Sequence, residues 1–241
     1  MAIRTSTLVL VSFSLIFTST ILLASLALIR LQAILPPNRP KPHKRDRGYA
    51  SHLMVVLGSG GHTAEMIAML HKLDPSRHAK RTYVVSSGDG FSKGKAVEFE
   101  KDLAKPYEGD NGAKGNVGTY TIITVPRARR IHQSLLTTPI SALQCMLSCI
   151  ILLYRGGYPD IIVTNGPATG CIVVFASVFL RFLNIHGAHS GGKMRTIYVE
   201  SWARVKSLSL TGYLLQGVVD RFGVQWEDLA EGRREYWGIL V

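Results

Sequence analysis

Cysteine is scarce in this chain of 241 residues, which has only three, and each of them lies within an apolar run. An odd number of cysteines in segments that look buried is typical of ordinary core thiols and argues against a disulfide framework. The eight histidines form no H-x-x-x-H motif, and the chain has no C-x-x-C motif either. Together these absences argue against a metal centre.

Acidic residues are also few, 16 against 28 lysines and arginines, which gives a net charge of +12 at pH 7. A basic domain is attracted either to anionic lipids or to nucleic acid. Basic residues interleaved with aromatic ones, or a zinc-finger spacing, would favour nucleic acid, and both are missing. We therefore expect membrane lipids and an anionic lipid substrate as partners, and no nucleic acid.

Charge is absent from one long stretch near the N-terminus. The 25 residues between Arg4 and Arg30 are uncharged and rich in Leu, Ile, Val and Phe. As a helix, at about 1.5 Å per residue, they would more than cover a hydrocarbon core of about 30 Å. A cleaved signal peptide is the alternative, but its apolar core would normally be shorter and followed by a small-residue cleavage site. We predict a transmembrane anchor over residues 5–29.

The next segment, 30–51, is basic and rich in proline, and we expect it to form a stalk. Its central part, 36–47, has too many prolines and charges to pack, so the stalk should be stiff and extended. Six of the seven basic residues in the first 47 follow the uncharged stretch. By the positive-inside rule this places the C-terminal domain in the cytosol. The absence of any Asn-X-Ser/Thr glycosylation site agrees with that side.

Strand-like and helical patterns alternate regularly after the stalk. The predicted strands are 52–57, 81–86, 119–125, 160–164, 195–200 and 219–224, and the helical patterns lie near 63–73, 94–104, 138–154, 167–183 and 207–216. Such alternation predicts a parallel sheet covered by helices on both faces. We therefore predict an α/β fold in which residues 52–241 form a single Rossmann-like, doubly wound domain. Residues 105–118 are expected to form a surface loop.

Two of the predicted helices, 140–154 and 171–183, are apolar almost all round. Burial against the sheet is the favoured explanation for both. The first helix is too short to span a bilayer, but it would also suit a membrane interface, so both possibilities stay open.

The most informative motif runs from Gly58 to Thr63, where a strand enters a glycine-rich turn and a helix follows at once. Without Cβ atoms at positions 58, 60 and 61, backbone amides and the positive end of the helix are able to approach an anion. The motif lacks the third glycine of a dinucleotide fingerprint and the Gly-Lys-Ser/Thr of a P-loop. It predicts a phosphate site that also contains the imidazole of His62. The alternative is a tight turn in which His62 only caps the helix.

The loops after the other strands should converge on the same edge of the sheet as this turn. Arg127, Arg129 and Arg130 form the most distinctive charged cluster, which suits either phosphate oxygens or lipid headgroups. Glu200, at the end of a strand, is a general base, a carboxylate that orients sugar hydroxyls, or the ion-pair partner of Arg204 one helical turn away.

Several segments carry a family pattern that runs from about residue 53 to the end. They are 58–63 with Glu65, 126–129 with 133–134, 159–160, 165–167, 198–201, 204–205, 207–209, Gly212, 224–226 and 236–241. On these segments the chain resembles the asparagine-linked glycosylation protein 14 family, the membrane-anchoring subunits of a two-part UDP-N-acetylglucosamine transferase. It is similar, more distantly, to the N-terminal half of the bacterial glycosyltransferase that makes lipid II. Two positions depart from the pattern. Ala168 stands where a glycine is expected, and Gly170 stands where a cysteine is expected. If position 168 needs a positive φ, alanine would be strained there.

The resemblance implies one half of a GT-B glycosyltransferase, an acceptor-binding domain that lacks the donor site. A cytosolic catalytic subunit would hold the donor, UDP-N-acetylglucosamine, and this chain alone would be inactive. The implied reaction transfers N-acetylglucosamine to N-acetylglucosaminyl-diphosphodolichol at the cytosolic face of the endoplasmic reticulum membrane, with the nuclear envelope as a further location. We expect no cofactor and no metal ion. The alternatives are a recruitment factor that contributes no active-site residue and a self-sufficient nucleotide-sugar enzyme.

The expected site residues fall into three groups. The catalytic residues are expected to be His62 and Glu200. The expected contacts to the acceptor and its diphosphate are Gly58, Gly60, Gly61, Thr63, Arg127, Arg129, Gln133, Ser134, Asn165 and Gly166. The residues expected to dock the partner subunit are Tyr236, Gly238, Ile239, Leu240 and Val241.

Overall fold

The computed structural model of the chain describes residues 2–42, 49–107, 117–129, 133, 134 and 136–241. A long helix, α1 (Ala2–Ile34), precedes an α/β domain. The strands of this domain are β1 (His52–Val56), β2 (Lys80–Ser86), β3 (Thr119–Val125), β4 (Ile161–Thr164), β5 (Arg195–Val199), β6 (Arg221–Val224) and β7 (Arg234–Tyr236). Its α-helices are α2 (Gly61–Met69), α3 (Gly90–Ala104), α4 (Thr138–Arg155), α5 (Thr169–Leu183) and α6 (Leu210–Leu215). Short 3-10 turns lie at Lys105–Tyr107, Ile185–Gly187 and Glu227–Leu229.

The strands form one sheet in the order β3-β2-β1-β4-β5-β6-β7, and every neighbouring pair is parallel. The prediction of a Rossmann-like parallel sheet is thereby confirmed. The sequence pattern does not predict β7, because three residues are too few to show a periodicity. The strand order reverses between β1 and β4, and in an open α/β sheet the ligand-binding crevice lies at such a reversal, beside the loops that follow the two strands. We call it the switch-point crevice.

The residues of β1 alternate between two cores, one on each face of the sheet. Met54 and Val56 pack with residues of α4 and α5, whereas Leu53 and Val55 pack with residues of α2 and α3. Because both faces are covered, β1 reads in the sequence as a continuous apolar run.

Helix α4 has one buried and one open face. Cys145, Cys149 and Leu153 point into the core and are fully buried. The opposite face carries large exposed apolar side chains at a spacing of three or four residues, namely Ile140, Leu143, Leu147, Ile151 and Tyr154. The expected burial against the sheet therefore holds for one face only. We call the exposed face the α4 stripe.

Most of α1 extends away from the domain. The part from Val11 to Ile34 is long and apolar enough to cross a membrane. Its last turns contact the domain, where Arg30 donates to the carbonyl oxygens of Arg181 and Phe182 at 2.9 and 3.0 Å. Ile34 is fully buried there. The end of α1 is thus fixed to the C-terminal end of α5.

The segment that follows α1 packs on the domain, contrary to the expected free stalk. Arg39 is 5% exposed and donates to the carbonyl oxygen of Met194 at 3.1 Å and to Asp220 at 2.6 Å. These partners are 155 and 181 residues away in the chain, so local composition does not reveal them. The expectation of no packing is wrong for residues 35–42, which we call the strap. Residues 43–48 of the stalk and 108–116 of the predicted surface loop lie outside the described residues.

Candidate functional site

The glycine turn between β1 and α2 is held from the interior of the domain. The Thr63 hydroxyl donates to the carbonyl oxygen of Gly58 and lies 2.6 Å from the hydroxyl of Ser92. Both of these side chains are fully buried. Thr63 therefore shapes the turn from inside. Gly60 has a φ of +60°, a conformation that favours glycine.

The loops after β1 and β4 touch through two glycines. A Cβ atom at Gly58 would lie 2.6 Å from Cβ of His62 and 3.1 Å from Cα of Gly166. A Cβ atom at Gly166 would lie 2.8 Å from Cα of Gly58. Only glycine allows the two backbones to approach this closely. The contact places His62 and Asn165 on the two sides of the switch-point crevice.

Asn165 and Glu65 tie three adjacent loops together. Asn165 is 1% exposed, and its side-chain amide donates to the carbonyl oxygen of His62 at 2.8 Å and to Glu65 Oε2 at 3.3 Å. Glu65 Oε1 accepts from the hydroxyl of Ser201, in the loop after β5, at 2.7 Å. Glu65 belongs to the segments that carry the family pattern, but it was not expected as a site residue. Its sequence signal is a carboxylate one helical turn after His62.

Several polar groups at this crevice have no partner. His62 Nδ1 and Asn165 Oδ1 are buried and make no hydrogen bond within the described part of the chain. The backbone amides of Gly61 and His62, the first of α2, donate to no described acceptor. Buried polar groups are normally paired, and a helix N-terminus favours an anion. The crevice is therefore suited to a ligand that brings both an anionic group and hydrogen-bonding groups.

Glu200 is buried and does not face the solvent. It is 1% exposed, and its carboxylate accepts from the hydroxyl of Tyr198 at 3.2 Å and from the amide of Ser209 at 3.0 Å. Burial, followed by the charge of Glu200, raises the pKa of the Tyr198 hydroxyl, so that this group stays a proton donor. Among the described ion pairs, none joins Glu200 to Arg204. The contacts indicate that Glu200 positions the loop between β5 and α6.

The basic cluster lies farther along the same edge of the sheet. It follows β3, which is two strands from β1, so a strand spacing of about 4.8 Å puts it about 10 Å from the glycine turn. Arg127 is half-buried, and its Nε donates to the carbonyl oxygen of Ser87 at 2.8 Å. Arg129 is exposed, and Arg130 lies outside the described residues.

Gln133 and Ser134 serve the start of α4. The side-chain amide of Gln133 donates to the hydroxyl of Ser141 at 2.9 Å. The hydroxyl of Ser134 accepts from the amide of Leu136 at 3.3 Å. These contacts are local and lie at the N-terminal end of α4.

The C-terminal tail lies along the edge of the sheet. Its backbone is attached to the domain because the amide of Trp237 donates to Val224 at 3.0 Å and the amide of Leu240 donates to the Gln225 side chain at 2.9 Å. Of the residues expected to dock a partner, Tyr236, Ile239 and Val241 are 50, 60 and 45% exposed, Leu240 is half-buried, and Gly238 turns the chain with a φ of +73°. The tail thus presents apolar side chains outward.

The three cysteines are free and buried, as expected of core thiols. Within the described ranges, no group of three or more His, Cys, Asp or Glu residues is placed to hold a metal ion.

Known proteins match this chain over most of its length. Residues 53–240 match the family model described as oligosaccharide biosynthesis protein Alg14 like. The chain belongs to the Alg14 family. Its relatives include the UDP-N-acetylglucosamine transferase subunit alg14 of Aspergillus fumigatus, 41% identical over 73% of this chain and 100% of the relative. The subunits of the same name from Schizosaccharomyces pombe and Homo sapiens are 39% and 36% identical, over 82% and 78% of this chain and 87% and 82% of their own length. A crystal structure of MurG from Acinetobacter baumannii aligns with a TM-score of 0.47 and 14% identity, over 77% of this chain and 44% of that one.

In this Alg14 family member, the loop after β4 is strained at one position. Ala168 has a φ of +47°, so an alanine stands where the backbone has a positive φ, which is strained for an L-residue. Two residues later, a Cβ atom at Gly170 would collide with the hydroxyl of Thr164. A cysteine at position 170 would not fit this conformation unless Thr164 moved.

Proposed function

We propose that this chain is the membrane-anchoring, acceptor-binding subunit of a two-component UDP-N-acetylglucosamine transferase at the cytosolic face of the endoplasmic reticulum. In the proposed reaction, N-acetylglucosamine passes from UDP-N-acetylglucosamine to N-acetylglucosaminyl-diphosphodolichol and becomes the second sugar of the N-glycan precursor. A cytosolic subunit, the other half of a GT-B enzyme, holds the donor, so this chain alone is inactive. Membership in the Alg14 family, whose curated relatives are named as subunits of such a transferase, supports the proposal.

One observation carries the assignment of an acceptor site to this chain, namely the unpartnered groups at the switch-point crevice. The amides of Gly61 and His62 suit a phosphate oxygen, and the buried Asn165 Oδ1 suits a sugar hydroxyl. A diphosphate-linked sugar carries both kinds of group on one molecule. Arg127, farther along the edge, extends the positive charge toward the second phosphate.

His62 is the proposed proton acceptor. As the attacking hydroxyl of the acceptor sugar bonds to the anomeric carbon of the donor, its proton passes to a ring nitrogen of His62, and UDP leaves with the bonding electrons. His62 suits this role because it is half-buried beside the crevice and its Nδ1 has no partner within the described residues. Glu200, which is occupied by Tyr198 and Ser209, is a positioning residue in this scheme.

The proposed orientation on the membrane follows from the two ends of the domain. The anchor α1 ends beside the C-terminal end of α5, at the amino edge of the sheet, whereas the crevice opens at the carboxyl edge. Helix α4, with 18 residues, extends about 27 Å between these edges and carries the α4 stripe outward. If the stripe lies in the headgroup interface, the domain rests on its side. The crevice then reaches a lipid-linked acceptor that stays in the bilayer.

The donor-binding partner is proposed to dock on the C-terminal tail. Tyr236, Ile239 and Val241 offer an apolar surface beside the outer edge of β7. Burial of such side chains is favourable at about 25 cal/mol per Å².

The proposal is tested with the full-length chain in mild detergent, the donor-binding partner, and a short-chain soluble analogue of the acceptor. A shared active site predicts product in the mixture and none with either protein alone. If the partner alone used the soluble analogue, this chain would be a recruitment factor without active-site residues. If this chain alone formed product, it would be a self-sufficient enzyme. Either of these results would overturn the proposal.

The role of Arg127 is tested in the same assay. Arg127→Ala should raise the KM for the soluble acceptor about tenfold, because a charge-assisted contact to phosphate is lost. Arg155→Ala, which removes the same charge from the far end of α4, should leave KM unchanged. A loss of vesicle binding in Arg127→Ala with an unchanged KM would instead assign Arg127 to lipid headgroups.

A further inference from the structure

A second cavity lies at the amino edge of the sheet, between the strap and the domain. It has a volume of ≈ 530 Å³, and the charged residues that line it include Arg39, Lys41, Arg195, Asp220 and Arg233. The strap follows directly after the last turn of the candidate membrane helix. When α1 is inserted in a bilayer, the cavity therefore lies near the level of the lipid headgroups.

Cationic groups around this cavity outnumber the carboxylates. Arg39 and Arg195 share the single carboxylate of Asp220, at 2.6 and 3.0 Å. The other carboxylate of the lining, Asp160, is paired with Lys193 at 2.5 Å.

Two more basic residues add to the excess. Arg233 donates to the carbonyl oxygens of Pro36 and Val219 at 3.4 and 3.0 Å, and Lys41 is exposed at the rim. Carbonyl oxygens satisfy guanidinium hydrogens but bring no negative charge. The cavity therefore keeps a positive charge that Asp220 does not balance.

The buried arginines near Asp220 have lowered pKa values. Burial, together with the charge of Arg181, lowers the pKa of Arg39 to about 9, and burial lowers the pKa of Arg181 to about 10. Arg39 Nε, Arg181 Nη2 and Arg195 Nε are buried without a hydrogen-bond partner among the described residues. Arg39 lines the cavity itself and is 5% exposed. An unbalanced buried cation is costly, so a negative group in the cavity would stabilise the strap on the domain.

We propose that this cavity binds a phosphate group carried by an anion at the membrane surface. Guanidinium groups match phosphate oxygens in charge and geometry. The remaining walls are apolar and include Pro36, Pro37, Ile161 and Ile197, which suit the glycerol and first methylene groups of a lipid. The site is separate from the switch-point crevice, which lies at the other edge of the sheet, and it does not depend on the proposed transferase function.

The experiment titrates the full-length chain in a neutral, phosphate-free detergent with three probes. The probes are dioctanoyl phosphatidic acid, inorganic phosphate, and dioctanoyl phosphatidylcholine, whose headgroup has no net charge. Binding is measured by calorimetry and by the rise in the unfolding temperature that a ligand of the native state produces. We expect saturable binding of phosphatidic acid or of inorganic phosphate, and none of phosphatidylcholine.

The double variant Lys41→Gln/Arg233→Gln should weaken binding at least about tenfold, because two rim charges are lost. The matched control Lys72→Gln/Arg155→Gln loses the same charge at exposed positions elsewhere and should bind like the wild type. If the double variant unfolds early without ligand, Lys41→Gln alone serves as the second variant, with an expected loss of about threefold.

Binding of phosphatidic acid alone would assign the site to a lipid headgroup, and equal binding of inorganic phosphate would assign it to a free anion; both results support the proposal. The proposal is wrong if neither anion binds saturably. It is equally wrong if phosphatidylcholine binds as well as phosphatidic acid, or if the rim variants bind like the charge-matched control.

Discussion

The carboxyl and amino edges of the sheet are formed by different kinds of residues. At the carboxyl edge, glycines let the loops after β1 and β4 touch, and small polar groups have no hydrogen-bond partner among the described residues. At the amino edge, long cationic side chains join the strap to the domain and end on backbone carbonyl groups and Asp220. In the proposed function, the carboxyl edge is open toward a ligand and the amino edge holds the membrane anchor.

The two edges also carry their positive charge on different groups. At the start of α2 the positive charge is a fixed partial charge of the backbone, which a ligand can meet without any rearrangement. Around Asp220 it belongs to buried guanidinium groups, which stay charged at neutral pH and whose burial must be balanced by a negative charge. Loss of a side chain should therefore cost activity at the carboxyl edge and stability at the amino edge.

The largest effect is expected at Asp220. Asp220→Asn should destabilise the domain by about 3–5 kcal/mol, because it leaves Arg39 and Arg195 without their carboxylate. Urea unfolding in mild detergent measures the change. Glu231→Gln, which removes the 84% exposed carboxylate that pairs with Arg234, should cost less than about 0.5 kcal/mol. Similar values for the two variants would contradict the difference between the edges.

The same carboxylate gives the stability a pH dependence. Burial alone would raise the pKa of Asp220. The neighbouring Arg39 and the Thr196 amide outweigh this effect and hold that pKa below its ordinary value of 3.8. A lowered pKa in the folded state means that the contribution is fully present at neutral pH and is lost as the pH falls below 3.8. In Asp220→Asn the free energy of unfolding should therefore change less between neutral and acid pH than in the wild type. In Glu231→Gln it should fall as steeply at acid pH as in the wild type.

At the carboxyl edge the largest effect is expected at His62. His62→Ala should lower the turnover of the proposed two-subunit enzyme, reconstituted with its partner, about 100-fold, because the proposed general base is lost. Assembly, measured by co-purification of the partner, should be unchanged. His71→Ala, at an exposed position just after the same helix, should keep full turnover. Turnover within threefold of the wild type for His62→Ala would remove His62 from the proposed site.

The sequence predicts those features that local pattern controls. Alternation of apolar runs identifies six of the strands, and the glycine turn with His62 is recognisable because its residues are contiguous. The packed strap is not predictable in this way, because Arg39 meets Asp220 only after 181 residues of chain have folded. Glu65 shows the same limit, since its link to Ser201 joins residues 136 positions apart. Helix α4 shows another, because an apolar composition does not reveal which face meets the core.

A smaller effect is expected where the two loops touch. Gly58→Ala should destabilise the domain by about 1–3 kcal/mol, because the new methyl group would lie 2.6 Å from Cβ of His62. Gly61→Ala is the matched control, since no atom lies within 4 Å of a Cβ at that position. Its unfolding temperature should match that of the wild type or lie slightly above it, because alanine lowers the entropy of the unfolded chain. Equal destabilisation by the two alanines would show that the turn does not depend on the approach of Gly166.

The smallest effect is expected at Ala168, where removal of a side chain should stabilise the protein. Its φ of +47° costs an L-residue about 1 kcal/mol in the folded state. Glycine removes this strain but lowers the stability by somewhat less than that amount, because it increases the entropy of the unfolded chain. Ala168→Gly should therefore raise the free energy of unfolding by about 0.5 kcal/mol. Ala230→Gly makes the same chemical change at a φ of −77°, where only the entropy term applies, and it should lower the free energy of unfolding by a similar amount. Opposite signs for one substitution would locate the strain in the backbone of the β4 loop, beside Asn165 and Gly166, whereas equal signs would show that this loop relaxes in solution.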